Sequence, residues 1–217
     1  DTSGNKGSAS FTVTVTEAAD TTPPAPYTIT DDSTGGDCQY IGTWNTSTKT
    51  CTLTGPIGTT VVNDSTGVII GSDGITLDGG NSYGIYGTAT GTGAGAALAP
   101  NYGTSGGTVS PDGQYGVLID GKDNVTIRNI GSIQTFHAGI VVKNANNVDI
   151  LSNSISLLPY SAMQVVGSSD VTMTSNTVSG VVSNYGCVVQ ISSSADVTLN
   201  QNDMSGSGGE SNVCILN

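Results

Sequence analysis

The 217-residue chain is short of cations: five Lys and Arg stand against seventeen Asp and Glu, with one His and a formal charge of −12. Binding to a nucleic acid requires clustered cations that displace counterions from phosphates. Lys6, Lys49, Lys122, Arg128 and Lys143 are scattered, so no nucleic-acid partner is expected. No run is long and apolar enough to span a bilayer, and no Lys/Arg-led signal segment is present. Helix-forming runs are nearly missing. The single His and single Arg leave a thin catalytic inventory, and no His/Cys spacing matches a zinc site. Asp31, Asp32, Asp37, Asp73 and Asp78 offer oxygen ligands for Ca2+ but match no loop motif. The expectation is no metal and no cofactor.

What the chain has is glycine (31 residues), abundant Ser, Thr and Asn, and short apolar runs that alternate with polar residues. Gly, Asn, Asp and Ser bound these runs, which is a strand-and-turn signature and argues against disorder. The runs repeat. YGVLIDGKDNVTI starts at Tyr115, AGIVVKNANNVDI at Ala138, AMQVVGSSDVTM at Ala162, CVVQISSSADVTL at Cys187 and CILN at Cys214. An earlier copy covers Val68–Leu77. Each holds one apolar strand, a polar turn, a second strand and a looser return.

One such repeat cannot bury its own apolar face, whereas stacked repeats can. Stacking places like over like at roughly 4.8 Å. The expected inward columns are Val117, Ile140, Gln164, Val189, and Ile119, Val142, Val166, Ile191. Beyond the turn they are Val125, Val148, Val171, Val197, and Ile127, Ile150, Met173, Leu199. Asn153, Asn176 and Asn202 follow at a constant offset, each with Ile155, Val178 or Met204 two residues on. They read as an asparagine ladder whose stacked amides satisfy buried backbone groups. A second Asx column, Asn124, Asn147, Asp170 and Asp196, marks the turn before the second strand.

These columns and the ladder resemble right-handed parallel β-helices of the pectate-lyase-like superfamily, in particular NosD-like repeats, over about residues 52–217. The resemblance implies an all-β chain: a right-handed parallel β-helix with an extended N-terminal strand arm. The expected division is an arm and Pro-rich linker over 1–26 and the β-helix over 27–217, with an insert at about 81–114. That insert carries Tyr83, Tyr86 and Tyr102, which could stack on sugars or pin the loop to the body. The superfamily includes lyases, hydrolases, adhesins and inert spacers, so fold alone leaves function open.

Cys187 and Cys214 begin successive repeats, which places them on neighbouring rungs within disulfide reach. Cys38 and Cys51 flank a polar loop, and a bridge there would close a hairpin. Four reduced, buried thiols are the alternative. The even count and the acidic, secreted-type composition favour bridges and an extracellular or cell-surface location. Asn45, Asn63 and Asn124 begin sequons, open to glycosylation in a host that glycosylates.

Residues 1–18 differ from the rest. Phe11, Val13 and Val15 alternate with Thr12, Thr14 and Thr16, and the segment resembles the last strand of a hyalin-repeat immunoglobulin-like module. Asp20 to Pro26 is a stiff linker. A lone amphipathic strand is not stable in water. Three readings stay open: a remnant of a larger protein, a strand packed on its own chain, or a donor strand for another copy. The chain halts at Cys214-Ile215-Leu216-Asn217, inside a repeat, which reads as a bare strand edge. Leu118, Val141 and Val165, with Met163, Val188 and Ile215, form an expected outward apolar stripe, which an intermolecular contact or the insert could cover.

Catalysis on this fold needs clustered groups. The outward second-strand positions hold single acids, Asp149 pairs with Arg128 without a third group, and Lys143 stacks near Asp120. The chain therefore reads as no enzyme but an extracellular structural subunit, a homopolymer of its own copies joined by the arm into a filament or surface array. A carbohydrate-binding or polysaccharide-degrading module, with cell-surface or extracellular polysaccharide as partner, and a passive spacer are the other readings.

Overall fold

The computed structural model describes residues 23–58, 66–87, 114–158, 160–181, 187–207 and 211–216. Tyr27–Ile29 (β1) opens the first rung. A four-residue helix, Cys38–Ile41 (α1), a hairpin of Gly42–Asn45 (β2) and Thr50–Leu53 (β3), and the short Ile57–Gly58 (β4) complete it. Three strands then recur per rung. They are Val68–Ile70, Thr76–Asp78 and Gly84–Tyr86 (β5, β6, β7), then Tyr115–Asp120, Val125–Arg128 and Ser132–Gln134 (β8, β9, β10). Next come Ala138–Lys143, Asn146–Leu151 and Ser154–Ser156 (β11, β12, β13), and Ser161–Val166, Ser169–Thr174 and Thr177–Ser179 (β14, β15, β16). Cys187–Ser192, Ala195–Asn200 and Asp203–Gly206 (β17, β18, β19) follow, and Ser211–Leu216 (β20) begins a further rung.

Like strands pair across rungs into three sheets. The first runs β1-β5-β8-β11-β14-β17-β20, the second β2-β3-β6-β9-β12-β15-β18, and the third β4-β7-β10-β13-β16-β19. Every pairing is parallel except the β2–β3 hairpin. The core is the space the three sheets enclose. Val125, Val148 and Val171 are in register and fully buried, as are Ile127, Ile150 and Met173. The third strands add Ile85, Ile133, Ile155 and Val178. Gly84–Tyr86 thus belongs to the rung stack, not to an insert beginning at Asn81. Only Ile85 in that strand is an obvious core residue, which hid it among glycines and tyrosines.

The fourth rung corrects the expected columns. Ile140 lies level with Met163 and Val142 with Val165, and these continue to Val189 and Ile191. Gln164 and Val166 are therefore not the inward residues. A strand's side-chain period is two, so a one-residue slip in alignment exchanges its faces. AMQVV reads acceptably in either register by hydropathy. Packing Met163 and Val165 inward avoids burying an amide in the apolar core, which settles the register.

Glycine opens the first-sheet strands for a packing reason. A Cβ on Gly67 would lie 2.7 Å from the Gly116 carbonyl oxygen, and one on Gly139 would lie 2.6 Å from that of Ala162. The backbones there approach too closely for side chains. Gly139→Val is expected to cost about 1–3 kcal/mol through overpacking, read as a lower denaturation midpoint at unchanged m-value.

The N-terminal end of the stack is sealed. Cys38 and Ile41 of α1 are buried against the core, and Cys38 is bonded to Cys51 of β3, with Cα atoms 5.8 Å apart. The indole of Trp44 donates to the Asp32 carbonyl at 2.9 Å, tying the hairpin to the preceding loop. At the other end Val213 and Ile215 continue the inward columns but are 40% and 71% exposed, because no described rung covers them.

Candidate functional site

The corners between rungs hold most of the interacting polar side chains. Asn124, Asn147, Asp170 and Asp196 all have φ between 51° and 58°, a left-handed conformation that Asn and Asp tolerate better than most residues. The Asn147 amide donates to Asn124 Oδ1 at 2.8 Å. The inner ladder is more strongly bonded. Asn153 donates to Asn176 Oδ1 at 3.1 Å and to the Ile127 carbonyl at 2.9 Å. Asn176 donates to Asn202 Oδ1 at 2.9 Å and to the Ile150 carbonyl at 2.8 Å. Ile130, at the ladder position of the rung below, contributes its backbone N–H to Asn153 Oδ1 at 3.0 Å.

The acids are engaged in the same way. Asp73 accepts from the Asp123 amide, and Asp123 accepts from the backbone and side chain of Asn146 one rung on. Asp120 takes Lys143 and Asn144, including the 3.3 Å ion pair that stacking anticipated. Asp37 accepts from the Thr28 N–H at 2.8 Å, and Asp31 pairs with Lys49. Asp32 accepts from the Gly36 amide, the Thr30 hydroxyl, and the amide and hydroxyl of Thr34. These donors, the Gly36 amide foremost, hold its carboxyl far below the usual carboxylate range.

Arg128 does not pair with Asp149. Its Nε donates to Asp78 Oδ2 at 2.8 Å on the preceding rung, where Asn129 and the Gly80 amide also donate. Asp78 lies two residues beyond Thr76 and level with Arg128, whereas Asp149 is level with Thr126. Burial pushes the Asp78 carboxyl up, but the Gly80 amide, Asn129 and Arg128 together outweigh it and leave the carboxyl below its ordinary value. For both Asp32 and Asp78 the bonded form is the charged one. The stability they contribute is complete above the unfolded value of 3.8 and is lost as pH falls through the lower folded values. Thermal stability should hold from neutrality to about pH 4.5 and drop below about pH 4. In Asp78→Asn the drop should be smaller and the midpoint at pH 7 lower.

The second disulfide joins Cys187 to Cys214 with Cα atoms 5.7 Å apart. The two are on neighbouring rungs, as expected, but not in one column: Cys187 is level with Ser211, and Cys214 with Gln190. The rung between them is shorter than the 27 residues that separate the two start residues, so the bridge is oblique.

The expected outward stripe is divided by the same register. Met163, Val165 and Val188 are core residues, and Ile215 continues the inward column of Ile191. Leu118 and Val141 do face out. With Tyr115 and Ala138 they form a small cluster separate from the core, in which Val141 and Ala138 are fully buried. The outward column continues through Gln164 and Gln190, both buried, to Cys214. The other two sheets differ: their outer residues, such as Thr126, Arg128, Thr172, Ser154 and Thr177, all have solvent contact.

Of the sequon residues, Asn45 and Asn124 are exposed; Asn45 ends β2, and its Oδ1 accepts from the Ser47 and Thr48 N–H groups of the following turn. Asn63, the donor-strand residues Phe11, Val13 and Val15, and Tyr102 lie outside the described residues. His137 sits between the third and first sheets and uses its backbone N–H on the Gln114 carbonyl. Among the described residues no group of three His, Cys, Asp or Glu could hold a metal ion, and no helix is long and apolar enough to cross a membrane.

No curated protein and no solved structure matches the chain. Residues 39–216 match the family described as "right handed beta helix region". That span covers every rung after the first strand, with the parallel three-sheet stack and asparagine ladder already described, and the chain belongs to the right-handed β-helix family.

Proposed function

We propose that the chain is a structural module of an extracellular surface, whose rigid β-helix body is repeated in a filament or array and whose N-terminal arm joins the copies. The supporting observation is how the polar groups are used. Asp32, Asp37, Asp73, Asp78, Asp120 and Asp123 bond to neighbouring turns and rungs, and the Asn column bonds along the stack. Such groups stiffen a scaffold, and among the described residues they converge on no point where a substrate could react, which supports a structural role. Two disulfides suit an oxidising compartment, and a charge of −12 suits a solvated surface.

The arm supplies the joint: the strand carrying Phe11, Val13 and Val15 of one copy pairs with a sheet edge of the next, as in donor-strand complementation, a form of β-augmentation. Negative-stain microscopy of the full chain should show extended assemblies, and the chain lacking residues 1–18 should show single particles. Monodisperse particles from both would end the donor-strand reading.

A carbohydrate-binding role comes second. An open cleft of about 240 Å3 lies at the sealed end beside Tyr27 and the exposed Tyr40. It is smaller than the roughly 300–1,000 Å3 usual for ligand sites. Binding of polysaccharide, lost on Tyr40→Ala in this cleft, would place this reading first.

A further inference from the structure

The two described sequons stand in opposite surroundings. Asn124-Val125-Thr126 is gripped between rungs. The Asn124 N–H donates to the Asn146 carbonyl at 3.0 Å and the Thr126 N–H to the Ile75 carbonyl at 2.9 Å. The Asn147 amide donates to Asn124 Oδ1, and Val125 is fully buried. β9 pairs on both sides, with β6 and with β12. An enzyme that seats the Asn amide and the Thr hydroxyl together reaches this triplet only if β9 leaves the sheet.

Asn45-Thr46-Ser47 has no such ties. Asn45 closes β2 opposite Thr50, and Thr46, Ser47 and Thr48 are all exposed in the turn that follows. Asn45 Oδ1 accepts from the Ser47 and Thr48 N–H groups at 3.0 and 3.2 Å, an Asx turn. Nδ2, the atom that carries an N-glycan, has no partner among the described residues. A sugar on Nδ2 leaves Oδ1 and both of its bonds in place. The position also gives the sugar a use. β2 is the edge of the second sheet, paired with β3 alone among the described strands. An edge strand offers unpaired backbone groups to other chains and is usually blunted by charge or proline. Gly42, Thr43, Trp44 and Asn45 supply neither, whereas a bulky, hydrated glycan at the end of β2 would cover the edge. We infer that, of these two sequons, Asn45 is the N-glycan attachment site of the folded chain, and that its glycan blunts the edge of the second sheet. This rests on the extracellular location proposed above and is independent of the arm.

The full chain would be secreted from a eukaryotic cell line behind a supplied signal peptide, so that the result does not depend on where the chain resides in its own host. Release of the glycans by N-glycanase in heavy-oxygen water should leave labelled Asp at position 45 in the peptide mass spectrum. Ser47→Ala, which keeps the backbone N–H that Asn45 uses, should abolish that label. In a second measurement the unglycosylated folded chain is treated with a soluble N-glycosyltransferase and a UDP-hexose. Asn45 should react at least about tenfold faster than Asn124, and the difference should vanish once the chain is unfolded. An unlabelled Asn45 in the secreted chain, or equal rates at the two sites in the folded one, would overturn the assignment and leave the extracellular location standing. Light scattering at matched concentration reads the edge. The secreted Ser47→Ala chain should scatter more than the glycosylated parent, and equal scattering would overturn the blunting role.

Discussion

Asn176→Ala should lower stability by about 3–5 kcal/mol and the thermal midpoint by about 10 °C. The side chain makes four bonds. Its amide donates to Asn202 Oδ1 and to the Ile150 carbonyl, and its oxygen accepts from the backbone and side chain of Asn153. Asn176 and Asn153 are 0% and 1% exposed, so water cannot replace these partners. Truncation strands a carbonyl and an N–H inside the corner, and stranded groups cost more than the lost bonds would contribute. Asn176→Asp should be at least as damaging at pH 7, because a carboxylate offers no donor to Ile150 and places a charge where none is paired. Asn202→Ala should cost less, since Asn202 ends the ladder and is partly exposed. Calorimetry or denaturant titration of the three variants gives the ranking. Equal, small effects would mean that the ladder is ornamental.

The double replacement Cys38→Ala with Cys51→Ala should cost about 2–4 kcal/mol. The bridge closes a loop with a sequence separation of 13, for which chain entropy alone gives about 3 kcal/mol. Both sulfurs are buried where α1 closes the stack, so their loss also loosens the lid over Ile29, Ile41 and Leu53. Hydrogen exchange should report the change first in β1 and β3 and then along the body. Removing Cys187 and Cys214 should have a more local effect, confined to β17 and β20, because Val213 and Ile215 of β20 are already open to water.

Repetition made the body legible. Val125, Val148, Val171 and Val197 are level in the structure, as their spacing implies, and Asn153, Asn176 and Asn202 are bonded in sequence. These positions are repeated for a physical reason that each rung shares, so the pattern survives in one sequence. Errors arose where that reason gave way. AMQVV satisfies two registers by hydropathy, and the choice is made by what Met163 and Gln164 contact. The pair Arg128 and Asp149 is adjacent in the repeat, but the guanidinium turns to Asp78 fifty residues earlier, where an amide and an asparagine already converge. Of the shielded patch, Leu118 and Val141 are legible in the sequence as outward apolar residues, but Tyr115, Ala138 and Ser161 share no residue type and give no signal. Only the contrast with the solvated second and third sheets identifies it.

The oblique bridge from Cys187 to Cys214 has a mechanical consequence. A parallel stack pulled from its C-terminal end comes apart by peeling, one strand at a time, since the hydrogen bonds of the outermost rung break in succession. Here the pull reaches Cys214 within a few residues and passes through covalent bonds to Cys187. The intervening rung is bypassed. Tension enters at the start of β17, whose Val189, Gln190, Ile191 and Ser192 pair with β14, and has to break that pairing instead of unzipping β20. The disulfide-closed rung thus acts as a stopper knot: it shortens the extension released under load and keeps β20 attached to the part of the stack that resists.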